Sequence, residues 1–112
     1  MNLFNKKPLD NNHMISIPSI CIPRINKNIR ISQIINTFEK ILGPNCIKNI
    51  EFKNLNNYNN KVFIYFLSIE KRENALFIMN RLNKNEDFKI VSNNEIWKCY
   101  KYIPKNKYRK LN

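Results

Sequence analysis

Two segments of the chain, residues 61–67 and 96–102, place aromatic and basic side chains at every second position. The residues with this spacing are Lys61, Phe63 and Tyr65 in the first segment and Lys98, Tyr100 and Tyr102 in the second. Both segments are rich in aromatic and β-branched residues, which favours β-strands, and the side chains of a strand point alternately to its two faces. Each set would therefore share one face. Because unpaired bases stack on aromatic rings while lysines bind phosphates, this face suits single-stranded nucleic acid.

The other face of each strand carries the residues expected in the core. Val62, Ile64 and Phe66 form an apolar row in the first segment, and Trp97 and Cys99 form one in the second. Placing these residues inside requires their aromatic and basic neighbours to face outward. Two other interpretations stay open: the rings could pack beneath a terminal segment, or they could form a protein interface, as exposed aromatic patches also do.

The segment 19–25 is a further short strand that would contribute to the same surface. Its apolar residues point inward at every second position, which leaves Cys21 facing outward. Arg24 lies near the end of this strand and could stack on or clamp a nucleotide. Pairing with a nearby carboxylate such as Glu51 is an equally good interpretation of Arg24.

The charge balance also indicates an anionic partner. Among the 112 residues, 20 are Lys or Arg and 8 are Asp or Glu, which gives a formal net charge of +12 and a pI near 9.9. A surface of this charge attracts polyanions and makes their binding sensitive to salt. Nucleic acid is the commonest such partner, with an anionic membrane or a basic surface without a specific partner as alternatives.

Helical and strand patterns alternate along the chain. Apolar residues recur at helical spacing over residues 31–42, where Gly43 and Pro44 end the helix, and again over residues 75–82. Asn28 or Ser32 would cap the first helix. The predicted order is strand, helix, strand, strand, helix, strand, with an extra hairpin strand before the last one.

Two helices cannot cover both faces of a four-stranded antiparallel sheet. The order of elements therefore predicts an α+β fold, a ferredoxin-like βαββαβ sandwich with both helices on one face of the sheet. The aromatic and basic residues would lie on the other face.

A chain of this length forms one domain. Residues 1–17 are polar and unpatterned and are expected to be a flexible arm, residues 18–103 are the domain, and residues 104–112 are a basic tail. Lys105 and Lys107 in the tail would raise the affinity through a high effective concentration. A tail that only increases solubility is the alternative.

The cysteines and the lone histidine do not form a metal or disulfide framework in the sequence. Cys21, Cys46 and Cys99 are widely spaced and include no C-x-x-C pair, so they are expected to be free thiols in a reducing, intracellular compartment. No stretch reaches the roughly 18 apolar residues that span a membrane, and no secretory signal is recognisable. Neither a membrane nor a small-molecule substrate is expected.

Catalysis is not expected either. A hydrolase built on the same plan needs a phosphate-binding loop, usually rich in glycine, and a positioned arginine. The chain has a single glycine, Gly43, at a predicted helix end, and it contains no paired-carboxylate motif. We therefore expect binding without catalysis and without a cofactor.

Residues 19–102 resemble the RNA-recognition-motif family. Residues 20–25 (Ile-Cys-Ile-Pro-Arg-Ile) are similar to its six-residue signature, and residues 59–66 (Asn-Asn-Lys-Val-Phe-Ile-Tyr-Phe) are similar to its octamer. Phe63 matches a stacking aromatic of that octamer, whereas Cys21 and Lys61 stand where the family has rings. The resemblance implies single-stranded RNA, or alternatively single-stranded DNA, bound on the open face of the sheet.

A closer resemblance is to short domains of this type encoded by large DNA viruses. The similar stretches are residues 19–24, 62–66, 89–91 and 97–98. This resemblance implies a location in the host cytoplasm or nucleus. It also leaves a second function open, namely a protein-interaction or structural module of a viral assembly that does not bind RNA.

Overall fold

A computed structural model describes residues 13–92 and 94–104. Over these residues the chain forms an α+β structure, as expected from the sequence. In chain order its elements are β1 (Met14–Ile15), β2 (Ile20–Asn26), α1 (Ile31–Leu42), β3 (Ile47–Asn54), β4 (Asn59–Phe66), β5 (Ile69–Glu70), α2 (Glu73–Asn83), β6 (Phe88–Ser92) and β7 (Glu95–Lys101).

The main sheet has five strands in the order β3-β4-β2-β7-β6, and all neighbouring strands are antiparallel. Four strands with an additional hairpin strand were predicted. The structure has one five-stranded sheet because β6 pairs with β7 along its whole length, from Phe88 opposite Cys99 to Ser92 opposite Glu95. The hairpin therefore widens the sheet and its open surface by one strand.

The alternation predicted for the strands is confirmed by burial. One hydrophobic core contains buried residues from both helices and from one face of the sheet. The buried residues of the five-stranded sheet are Ile20, Ile22, Ile25, Val62, Ile64, Phe88, Ile90, Trp97 and Cys99. Both helices thus pack on the same face, and the opposite face, which we call the open face, displays the intervening residues. Phe66, predicted to be buried, is only partly so and packs on Phe38 at a ring-centroid distance of 5.7 Å.

Helix α1 buries one stripe of side chains, which includes Ile34 and Phe38. Its N-cap is Arg30, whose backbone N–H donates to Gln33 Oε1 at 3.0 Å. Asn28 and Ser32, the two residues predicted for this role, do not cap the helix. The helix ends at Gly43 as predicted, with φ at +103° and its N–H donating to the carbonyl of Glu39.

Gly43 is favoured by its backbone conformation, since its φ of +103° disfavours any L side chain. A Cβ at this position would also lie 3.0 Å from the guanidinium carbon of Arg72, which is the mobile end of a long side chain.

The last residues of the expected N-terminal arm are part of the folded unit. Met14 and Ile15 pair with β5, and Ile17 is buried in the core. A strand of two residues has too little pattern to be found in a sequence, which explains the difference. Residues 1–12 and 105–112 lie outside the described part of the chain.

None of the helices described is long and apolar enough to cross a membrane.

Candidate nucleic-acid interface

The register of the sheet brings three of the candidate binding residues and Glu51 into one row on the open face. Phe63 lies opposite Glu51 on one side and opposite Cys21 on the other, and Cys21 in turn lies opposite Tyr100. The row crosses four strands in the order β3, β4, β2 and β7. Cys21 is half-buried in its middle, while the Tyr100 side chain is 40% exposed.

Phe63 also belongs to a cluster of three rings. The Tyr102 ring contacts Phe63 at a centroid distance of 4.6 Å and meets Tyr65 edge-on at 6.3 Å. Tyr102 follows the last residue of β7, and its backbone N–H donates to the carbonyl of Ser19 at 2.8 Å. We call Phe63, Tyr65 and Tyr102 the aromatic cluster. All three rings are half-buried, because they partly cover one another.

A carboxylate holds one ring of the aromatic cluster in place. The Tyr65 hydroxyl donates to Glu51 Oε1 at 3.2 Å. Partial burial, this hydrogen bond and the negative charge of Glu51 raise the pKa of Tyr65 to about 12. The contact with Glu51 therefore stabilises the neutral phenol of Tyr65 as a hydrogen-bond donor. The interpretation in which Glu51 pairs with Arg24 is not the arrangement found.

Substitution of Glu51 by glutamine is expected to lower the pKa of Tyr65 from about 12. The change removes the charge that disfavours the tyrosinate, while burial of the ring remains, so the pKa should stay above its ordinary value. Tyrosinate absorbance would be titrated in both proteins over the pH range in which circular dichroism is constant, with Tyr65→Phe identifying the transition. An identical Tyr65 transition in Glu51→Gln would show that the Tyr65–Glu51 contact is absent in solution.

Basic residues lie further along the strands of the open face. Lys61 lies opposite Lys53 on β3, and Lys98 lies opposite Lys89 on β6. Arg24 is exposed at an irregularity in β2, where the register against β4 shifts between Ile22 and Ile25. A groove of about 510 Å³ is lined by Pro23, Arg24, Lys89, Ile96, Lys98 and Tyr100. The structure therefore brings Arg24, Lys98 and Tyr100 together.

The three thiols differ in their surroundings. Cys46 and Cys99 are completely buried, and Cys21 is half-buried on the open face. Burial raises the pKa of Cys46 to about 11 and also raises the pKa of Cys99. Burial likewise raises the pKa of Cys21, against the opposing effect of Lys61. Over residues 13–92 and 94–104, no group of three or more His, Cys, Asp or Glu residues is placed to hold a metal ion.

The comparisons with known proteins identify no relative. No family model, no curated protein and no solved structure matches this chain. Its function must therefore be inferred from the open face itself.

Seven of the ten candidate residues were predicted to face outward, and the structure places them on the open face: Cys21, Lys61, Phe63, Tyr65, Lys98, Tyr100 and Tyr102. Arg24, for which no face was predicted, is exposed at the irregularity in β2. The other two, Lys105 and Lys107, lie outside the described residues. Glu51, Lys53 and Lys89 were not among the candidates, although the alternation of β3 and β6 would have placed them on the open face.

Proposed function

We propose that this protein is a non-catalytic nucleic-acid-binding module that binds single-stranded RNA on the open face of its sheet. Setting the short strands β1 and β5 and the hairpin strand β6 aside, we interpret the remaining elements as the order βαββαβ. This order is compatible with a ferredoxin-like fold of the RNA-recognition-motif type and with the resemblance seen in the sequence.

The observation that carries the proposal is the position of the aromatic cluster beside basic residues on a face that the helices leave uncovered. Each base stacked on an aromatic ring contributes about 1–3 kcal/mol to binding. Lys61 lies two residues from Phe63 on the same face of β4, and Lys98 and Arg24 line a groove with Tyr100. These cations would neutralise the phosphates of a nucleic acid whose bases stack on the rings. The half-buried state of Phe63 and Tyr65 leaves each ring partly accessible, and Tyr100 is more open.

A protein-interaction module is the second candidate, and the hairpin gives a specific reason for it. Val91 and Ile96 lie opposite each other and are 73% and 63% exposed. Contiguous exposed apolar patches mark protein interfaces, and this pair would form part of one. Their position on the edge strand β6 and its neighbour β7 would allow a partner to bind beside the rings.

Titration of fluorescently labelled single-stranded RNA, followed by anisotropy, tests the main proposal. We expect micromolar or tighter binding that weakens steeply as salt is raised. A single-stranded DNA of the same sequence and a duplex RNA complete the comparison, and weaker binding of the duplex is expected because its bases cannot stack on the rings. Absence of RNA and DNA binding at low salt would reject the proposal in favour of protein interaction.

Alkylation of Cys21 provides an independent test of where RNA binds. Cys21 should react first under native conditions, because the other two thiols are fully buried. RNA bound on the open face should slow this reaction, since Cys21 lies between Phe63 and Tyr100. Mass spectrometry of the alkylated protein would measure the rate, and Cys21→Ser would confirm the labelled position. An unchanged rate at saturating RNA would place the bound RNA elsewhere.

A further inference from the structure

Two pairs of lysines face each other directly across neighbouring strands. Lys53 lies opposite Lys61 between β3 and β4, and Lys89 lies opposite Lys98 between β7 and β6. Like charges at directly opposed positions destabilise a sheet. Two such pairs on the same face are unfavourable for the isolated fold, and a bound anion would relieve the repulsion.

Extension of the β2–β7 register would align the two pairs in one row. The paired positions of β2 and β7 are Ile20 with Lys101 and Cys21 with Tyr100, and Cys21 also lies opposite Phe63. Continued by two residues, this register would place a position of β2 between Lys61 and Lys98. That position is the irregularity at residues 23–24, where β2 has one residue more than β4. The groove lining places Arg24 together with Lys89 and Lys98, in agreement with this alignment.

The resulting cation row consists of Lys53, Lys61, Arg24, Lys98 and Lys89, one from each strand of the five-stranded sheet. Four inter-strand spacings make it roughly 19 Å long. It runs parallel to the row that contains Phe63 and Tyr100, at a distance of about 7 Å, since two residues along a strand separate them. Rings and cations are therefore arranged as two parallel lines across the strands.

We propose that the cation row binds successive phosphates of one nucleic-acid strand, which crosses the sheet from β3 to β6 with its bases directed towards the aromatic residues. This inference rests on the proposed function and extends it. It assigns the outermost strand β6 to the binding site through Lys89. It also assigns the groove between Arg24, Lys89 and Tyr100 to the nucleotide at that end of the strand.

The salt dependence of RNA binding tests the row at its two ends. For single strands, the slope of log K against log salt changes by about 0.7 for each phosphate contact. Lys53→Gln and Lys89→Gln should each reduce the magnitude of the slope by about this amount. Lys84→Gln is the matched control, because Lys84 is exposed at the end of α2 on the helical side, and its slope should equal that of the unsubstituted protein.

The length of the oligonucleotide distinguishes phosphate binding along the whole cation row from attraction by a general positive field. Lengths of about four and about twelve nucleotides both fall within the site sizes of single OB-fold domains, about 4–16 nucleotides. With the longer RNA, Lys53→Gln and Lys89→Gln should both weaken binding. With the shorter RNA, which cannot reach both ends of the row, the loss at one or both ends should become smaller. Single-stranded DNA of the same lengths should behave in the same way, because the contacts are to phosphates.

The possible failures are distinguishable. If the unsubstituted protein binds no single-stranded nucleic acid, the proposed function itself is wrong. If it binds RNA in a manner that depends on Phe63, but Lys53→Gln and Lys89→Gln have the same salt slope as Lys84→Gln, the cation row is wrong and the proposed function stands. Equal losses for both lengths of RNA would contradict a track that spans the sheet. Circular dichroism of each variant would establish that it is folded.

Discussion

Replacement of Phe63 by leucine is expected to weaken the binding of single-stranded RNA by about 5- to 150-fold, the equivalent of about 1–3 kcal/mol. Phe63 has a central position among the outward residues, with Glu51 and Cys21 on either side and the Tyr102 ring against it. Leucine preserves an apolar side chain in the strand but offers no flat ring for a base. It also removes the surface against which Tyr102 is oriented.

The same substitution at Phe77 is a matched control for the loss of a ring. Phe77 is 58% exposed on α2, where its ring lies 5.7 Å from the guanidinium carbon of Arg81. Phe77→Leu should keep the affinity of the unsubstituted protein, because α2 packs on the other face of the sheet. Anisotropy titrations at one salt concentration would compare the two variants. If Phe63→Leu binds as tightly as Phe77→Leu, the aromatic cluster is not where bases stack.

The positions of Phe63, Tyr65 and Tyr100 could be predicted because alternation along a strand has only two solutions. Val62 and Ile64 are β-branched and apolar, and Trp97 is the largest apolar side chain, so their burial determines the direction of every neighbour. The prediction needs no knowledge of which strands are adjacent. It is a local property of each segment.

Contacts between strands could not be predicted in the same way. The approach of Tyr102 to Phe63 depends on the path of the chain after β7 and on the hydrogen bond to Ser19. The alignment of Lys61 with Arg24 and Lys98 depends on one extra residue in β2. Pro23 indicates that the strand is irregular at this point, but the sequence does not indicate how the register between β2 and β4 shifts.

The two strands that were not predicted show that very short elements escape detection in a sequence. β1 and β5 have two residues each, too few for periodicity to be recognised. They form because the carbonyl of His13 accepts the N–H of Lys71 and because Ile17 and Ile69 are buried nearby. Their pairing attaches the N-terminal part of the described chain to the segment between β4 and α2.

Replacement of Trp97 by alanine is expected to lower the free energy of unfolding by about 3–5 kcal/mol. Trp97 is the largest fully buried side chain, and its indole N–H donates to Glu95 Oε1 at 2.8 Å, so that this N–H has a partner. Removing it leaves a cavity beneath β7 and deprives Glu95 of its donor. Because native proteins are stable by about 5–15 kcal/mol, a loss of this size is a substantial part of the total and should lower the denaturant midpoint clearly.

The neighbouring substitution Ile96→Ala decides whether the strand is oriented as described. Ile96 is 63% exposed, so the loss of its side chain should cost well under 1 kcal/mol, within the range of ordinary surface substitutions. Denaturant unfolding of both variants would measure the difference. A reversal, with Ile96→Ala the more destabilising of the two, would mean that β7 presents its other face to the core. Lys98 and Tyr100 would then be directed into the interior, and neither base stacking on Tyr100 nor phosphate binding by Lys98 could occur.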